Sequence, residues 1–89
     1  MDDRLPGADL IAQGVADLAQ GRETIPALLV SIGAPRLRRI GVPVPRAIPS
    51  PEHRLYLRLA RENPDAAHGR YNALIRRLVS FERAAECAR

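Results

Sequence analysis

The chain has 89 residues, with fourteen Lys and Arg against ten Asp and Glu, and a formal net charge of +4. This length is typical of a single domain, here residues 1–89. Apolar residues make up 46% of the chain but aromatic residues only 3%, so a core must consist mainly of Leu, Ile, Val and Ala. The single cysteine, Cys87, excludes a disulfide within the chain.

The sequence also indicates a cellular location. The first residues, Met-Asp-Asp-Arg, lack the basic region and the apolar run of a signal peptide. No apolar stretch reaches the length needed to span a bilayer. A chain with one unpaired cysteine suits a reducing compartment, so we expect a cytoplasmic protein that does not contact a membrane.

Charge is distributed unevenly along the chain. Residues 1–35 hold two Arg against five acidic residues, net −3, whereas residues 36–89 hold twelve Arg against five, net +7. Every basic residue is Arg and none is Lys. Because a guanidinium group binds carboxylates and phosphates in a bidentate manner, the second part of the chain suits an anionic partner.

Hydrophobic periodicity predicts an all-α fold, a compact bundle of four to five helices. Residues 1–7 are expected to be a frayed lead. An amphipathic helix over residues 8–20 follows, and Gly14 on its apolar side indicates a closely packed neighbour. A mostly apolar helix then begins at the N-cap Thr24 and ends near Gly33, and it should be the most buried element. A short turn of helix follows.

Residues 42–51 contain four of the eight prolines and cannot be helical. We expect them to form an extended, polyproline-like strap across the helices. A further helix should run from the N-cap Ser50 to about Glu62. A long C-terminal helix is predicted from Asn63 to Ala88, with Asn63 as its N-cap.

The positions expected in the core are apolar and share one face of their helices. They are Leu10, Ile11, Val15, Leu18, Leu28, Leu29, Ile32, Leu55, Leu59, Tyr71, Leu74, Ile75 and Leu78.

The first candidate site is a basic surface within residues 36–61, which carry seven Arg and one acidic residue. Arginines at i, i+4 and i+7 on a helix can follow a phosphate backbone, so DNA or RNA is a possible partner. A solvated face, or docking of the acidic N-terminal third, explains the same pattern. The candidate residues are Arg36, Arg38, Arg39, Arg54, Arg58 and Arg61.

The second candidate is the end of the long helix, where Phe81, Glu82 and Ala85 form a predicted partner interface. Glu82 lies within the apolar arc and has no Arg at i±3 or i±4. Its charge therefore lies beyond the edge of the core, or pairs with an Arg of another element or another chain. With Phe81 exposed, this end would bind a partner protein or a second copy of the chain.

Catalytic and metal chemistry have weaker support. Asp65 and His68 have the i, i+3 spacing of two metal ligands, with Glu62 nearby, but an acid at a helix N-terminus and a surface His explain them better. Cys87 lies at the negative end of a helix dipole, which does not activate a thiol. We predict no metal, no cofactor and no catalytic residue.

The stretch Arg61-Glu-Asn-Pro-Asp-Ala-Ala-His68 resembles the arginine–x(4–6)–histidine signature of the HEPN family of small helical ribonucleases. In that family the Arg and His face each other across a dimer and cleave RNA without metal. The resemblance implies a metal-independent ribonuclease that uses Arg61 and His68. We favour a non-enzymatic protein that binds another protein or itself, then a nucleic-acid-binding protein, then this ribonuclease.

Overall fold

The computed structural model describes residues 4–88, and these form five helices. They are α1 (Ala8–Ala19), α2 (Ile25–Ile32), α3 (Ala34–Arg39), α4 (Pro51–Glu62) and α5 (Ala67–Cys87). The radius of gyration is 12.5 Å and the longest dimension is 38 Å. The predicted all-α bundle with a long C-terminal helix is confirmed. No helix within residues 4–88 combines the length and the hydropathy needed to cross a membrane.

The central element is α2, which packs against α1, α4 and α5. Its residues 27–31 are all buried, as expected for the most apolar helix. Thr24 is its N-cap, and its hydroxyl oxygen accepts a hydrogen bond of 3.1 Å from the Ala27 N–H. Ser31 is buried without cost to hydrogen bonding, because its hydroxyl donates to the Ala27 carbonyl at 2.8 Å.

All predicted core positions pack in or against one apolar cluster. Those that are buried are Ile11, Leu18, Leu28, Leu29, Leu55, Leu59 and Leu78. Those that are partly buried are Leu10, Val15, Ile32, Tyr71, Leu74 and Ile75. The cluster also contains residues that were not among the predicted core positions, namely Ala8, Ala27, Val30, Ala34, Leu37, Val42, Val44, Ala67 and Phe81.

The close approach predicted at Gly14 is present between α1 and α2. A Cβ atom built on Gly14 would lie 2.4 Å from the Pro26 carbonyl oxygen and 2.5 Å from Val30 Cγ2. Only glycine fits such a contact without a shift of the α2 backbone.

The proline-rich strap is non-helical over residues 42–50, and α4 begins at the next residue. Val42 and Val44 are buried against the helices. The Ile48 N–H donates to the Ser31 hydroxyl at 3.0 Å, and Arg38 donates to the Val44 and Pro45 carbonyls at 3.3 and 2.7 Å. These hydrogen bonds hold the strap on the bundle.

Two expectations about helix ends require correction. Asn63 Oδ1 accepts from the Asp65 and Ala66 N–H groups at 3.1 and 3.3 Å, as an N-cap does, but residues 64–66 form a turn and α5 begins only at Ala67. Ser50 occupies the N-cap position of α4, yet its side chain accepts no capping hydrogen bond. Its φ of 50° lies in the left-handed region, so the residue turns the chain and does not cap the helix.

The expected frayed lead, residues 1–7, falls partly on residues 1–3, which lie outside the described residues. The part that is described is not frayed, because Leu5 packs against the core and Gly7 is the N-cap of α1. With a φ of 76°, Gly7 turns the chain into the helix while its neighbours remain against α5.

Candidate functional site

The outer side of α4 carries a row of arginines. Leu55 and Leu59 point into the core and are fully buried. Arg54, Arg58 and Arg61 lie on the opposite part of the helix, because i, i+4 and i+7 positions share one side. Because Leu55 and Leu59 pack one side of α4 into the bundle, the three arginines on the other side are exposed to solvent.

An open cleft of about 420 Å³ follows this row, and we call it the α4 cleft. It is lined by Glu23, Ser50, His53, Arg54, Leu57, Arg58 and Arg61. Three guanidinium groups and one carboxylate leave a formal charge of +2 when His53 is neutral. The cleft therefore attracts anionic groups and disfavours cations.

The α4 cleft also has an apolar component. Leu57, one of its lining residues, is 41% exposed, and the neighbouring Tyr56 is 40% exposed. These two are the large hydrophobic side chains that the described part of the chain leaves exposed. The Tyr56 ring packs edge to face on Tyr71 of α5, with centroids 5.9 Å apart, and does not line the cleft.

Glu23, from the loop between α1 and α2, contacts two of the arginines. Arg54 Nη1 donates to Glu23 Oε1 at 2.9 Å, and Arg58 Nη1 donates to the Glu23 backbone carbonyl at 2.9 Å. Arg61 has no hydrogen bond or ion pair with any residue that the structure describes. Glu23 belongs to the acidic N-terminal third, and through it this part of the chain contacts the basic region. Docking of the N-terminal third was one of the two alternative explanations of the charge pattern.

The other three predicted arginines belong to α3 and do not line the α4 cleft. Arg36 Nε donates to Glu86 Oε1 at 2.6 Å and its Nη1 lies 3.5 Å from Glu82 Oε1, a group that we call the Arg36 cluster. Arg38 binds the strap carbonyls, and Arg39 lies with Arg36 beside a separate groove along α5. The six arginines therefore do not form one continuous cleft.

The predicted partner interface on α5 is mostly internal. Phe81 is 1% exposed, so the expectation that it is exposed is wrong. Leu5, Val42 and Ala85 line a small apolar pocket of about 160 Å³ with Phe81, since the segments before α1 and after α3 reach over this end of α5. Ala85 is partly buried there.

Glu82 is 4% exposed, and its partner is Arg36 of another element of the same chain. Burial raises the pKa of the Glu82 carboxyl, and the Arg36 guanidinium opposes that rise. Glu86, on the same cluster, has a lowered pKa because it accepts a hydrogen bond from Arg36. The sequence left open whether Glu82 pairs with an arginine of this chain or of another chain. In the structure it pairs with Arg36 of the same chain.

The ribonuclease residues lie on either side of the turn at residues 64–66. Arg61 and His68 are both exposed, and His68 Nε2 lies 3.2 Å from Asn72 Nδ2. Glu62 forms an ion pair of 2.8 Å with Arg70. The described residues contain no group of three His, Cys, Asp or Glu side chains that could hold a metal ion. The ribonuclease stays a prediction.

Sequence reasoning missed Glu23, His53 and Leu57 as parts of this surface. The signal for Leu57 is an apolar residue between arginines of the polar side of α4. Nothing local indicates Glu23, which reaches α4 from 31 positions away. The chain matches no protein-family model, no curated protein and no solved structure.

Proposed function

We propose that this protein is a non-enzymatic, cytoplasmic binding protein whose α4 cleft holds an acidic, partly apolar segment of another protein. The observation that carries the proposal is the exposed side chain of Leu57 among the arginines that line the α4 cleft. Arg is enriched in protein interfaces, where an apolar centre supplies binding energy and a polar rim supplies specificity.

The charge of the α4 cleft supports an acidic partner. A carboxylate can accept two hydrogen bonds from one guanidinium group, and Arg61 is available for such a contact within the described structure. A second copy of this chain is a poorer partner for the same face, because a two-fold interface would bring like charges together. We therefore favour a different protein over self-association.

Nucleic acid is the second candidate, and the i, i+4, i+7 spacing of Arg54, Arg58 and Arg61 is the observation in its favour. Its support is weaker because Arg36 and Arg38 lie outside the α4 cleft, which leaves three arginines to follow a phosphate backbone. Three phosphate contacts correspond to a log–log salt slope of about −2.7 on duplex DNA, against about −5 for six. So few contacts hold nucleic acid weakly at physiological salt.

Photo-crosslinking in the cells that carry the gene tests the proposal. A benzophenone amino acid is placed at Leu57 or, as a control, at Ala12, an exposed residue of α1 that does not line the cleft. We expect a discrete protein adduct from position 57 and none from position 12. The adduct should disappear when Arg58→Glu is added, because the charge of the cleft is then reduced.

Arg76→Glu is the matched charge reversal, since Arg76 is exposed on α5 outside the cleft. It should leave the adduct in place. An adduct with DNA or RNA would instead support the second candidate function, nucleic-acid binding. Equal adducts from both positions, no adduct at all, or equal sensitivity to the two charge reversals would contradict the proposal.

A further inference from the structure

Glu23 occupies the position in the α4 cleft that an acidic ligand would use. Its carboxylate binds Arg54 and its backbone carbonyl binds Arg58, each at 2.9 Å. A guanidinium group carries five N–H donors, so both arginines retain donors for another acceptor. The chain itself thus places a carboxylate on one arginine of the cleft.

The Glu23 carboxylate is easy to displace. Its side chain is 43% exposed, and an ion pair in contact with water contributes little free energy. The backbone beside it is fixed, because the Thr24 hydroxyl donates to Asp17 Oδ2 at 2.6 Å and accepts from the Ala27 N–H. The side chain can therefore leave Arg54 while the carbonyl remains on Arg58.

We propose that the Glu23 carboxylate is an internal competitor for the α4 cleft, which a carboxylate of the acidic partner segment displaces from Arg54. This inference rests on the proposed function and concerns the same cleft. It has a consequence for selectivity. A ligand with one carboxylate only exchanges one ion pair for another, whereas a segment with several acids and an apolar side chain also gains Arg61 and Leu57.

The test uses a labelled twelve-residue peptide composed of Glu and Leu, (Glu-Leu-Glu-Glu)₃, and fluorescence anisotropy at low salt. Glu23→Gln removes the competing charge and should tighten binding by about two- to five-fold, the range that corresponds to one exposed ion pair. Glu86→Gln is the matched control, because Glu86 is also 43% exposed and bound to an arginine but lies outside the cleft. It should change the affinity much less.

The outcomes separate the inference from the proposed function. If Glu23→Gln and Glu86→Gln bind the peptide equally, while Arg58→Glu abolishes binding, the competitor is disproved and the proposed function stands. If the wild-type chain binds the peptide no better than its Gln-for-Glu version, both are disproved. If a DNA duplex of equal charge binds more tightly than the peptide, nucleic acid is the ligand of the cleft.

Discussion

Asp17 is a buried acid whose hydrogen bonds join two helices. It accepts from Thr24 Oγ1 at 2.6 Å and from Gln13 Nε2 at 2.9 Å. These bonds, the one from Thr24 first, lower the pKa of the Asp17 carboxyl below its ordinary value of 3.8. Because the folded pKa is the lower one, the stabilisation is present above pH 3.8 and is lost as the pH falls through the folded value.

Thr24→Ala should therefore lower the free energy of unfolding by about 1–2 kcal/mol at pH 7, since it removes both an N-cap and a hydrogen bond to Asp17. Thr24→Ser retains the hydroxyl and should lose much less. The difference between wild type and Thr24→Ala should narrow below pH 3.8 in urea unfolding. A loss independent of pH would show that Asp17 is not involved.

Neutralising the two carboxyls of the Arg36 cluster, Glu82 and Glu86, should change the free energy of unfolding in opposite directions. The pKa of Glu82 is raised by burial, so the stability linked to its protonation is complete below pH 4.5 and is lost as the pH rises through the folded pKa. Glu82→Gln should then stabilise the protein at pH 7, because Arg36 still pairs with Glu86, and this gain should vanish near pH 4.

Glu86→Gln should destabilise the protein at pH 7, because Arg36 lowers the pKa of Glu86 and favours its charged form. This loss should also shrink as the pH falls below 4.5. Urea unfolding of both variants at pH 7 and pH 4 measures the four differences. Equal signs at pH 7 would mean that burial does not dominate the behaviour of Glu82.

At the scale of elements, two helical glycines differ in what surrounds them. Gly14 meets α2 so closely that an added Cβ would lie 2.4 Å from a backbone oxygen, whereas a Cβ on Gly69 in α5 would have no neighbour within 4 Å. Overpacking of this kind costs about 1–3 kcal/mol or more, whereas Ala exceeds Gly in helix propensity by up to about 1 kcal/mol.

Gly14→Ala should therefore lower the free energy of unfolding by at least about 2 kcal/mol. Gly69→Ala should raise it, by up to about 1 kcal/mol. Thermal and urea unfolding of both variants measure the two changes. Similar effects of the two substitutions would show that α1 and α2 separate at Gly14 in solution.

The sequence predicts the helices and the strap better than it predicts where helices end and which residues pack over them. Proline spacing identified the strap, and apolar spacing identified α2 as the central helix, because both properties are local. The burial of Phe81 was not predictable in this way, since the residues that cover it, Leu5 and Val42, lie far away in the chain. Periodicity shows which face of α5 is apolar and not how far the core extends along it.

For the whole molecule, the row Arg54, Arg58 and Arg61 follows from sequence alone, because helical spacing fixes its direction. The separation of this row from Arg36 does not follow from sequence alone, since Arg36 contacts Glu86, which lies 50 positions away in the chain. The prediction of a six-arginine surface considered the positive charges alone. It did not include the carboxylates and backbone carbonyls of the same chain that bind these arginines. Of the six predicted arginines, tertiary structure thus leaves three together in the α4 cleft.

The assembly state follows from this charge distribution and from the burial of Phe81. We expect a monomer of 9.8 kDa at about 100 µM, because the exposed apolar residue Leu57 lies among like charges. Sedimentation equilibrium measures the mass, with a reductant present because Cys87 is exposed. A mass that rises with concentration would favour self-association over a different partner.

The Arg36 cluster also bears on how fast the protein folds and unfolds. Its contacts join residues 46 and 50 positions apart, whereas α1 and α2 pack on each other across a short loop. Closing so long a loop is slow, so we expect the cluster to form after the folding transition state. Arg36→Ala removes a guanidinium group from the buried Glu82 carboxylate, so it should speed unfolding by at least about five-fold and leave the folding rate unchanged in stopped-flow chevron measurements.

A slower folding rate in Arg36→Ala would instead show that α3 and α5 meet early. With late formation, the two groups of contacts have separate kinetic roles. The α1–α2 pair determines how quickly the native state is reached, and one arginine near the middle of the chain determines how long it lasts.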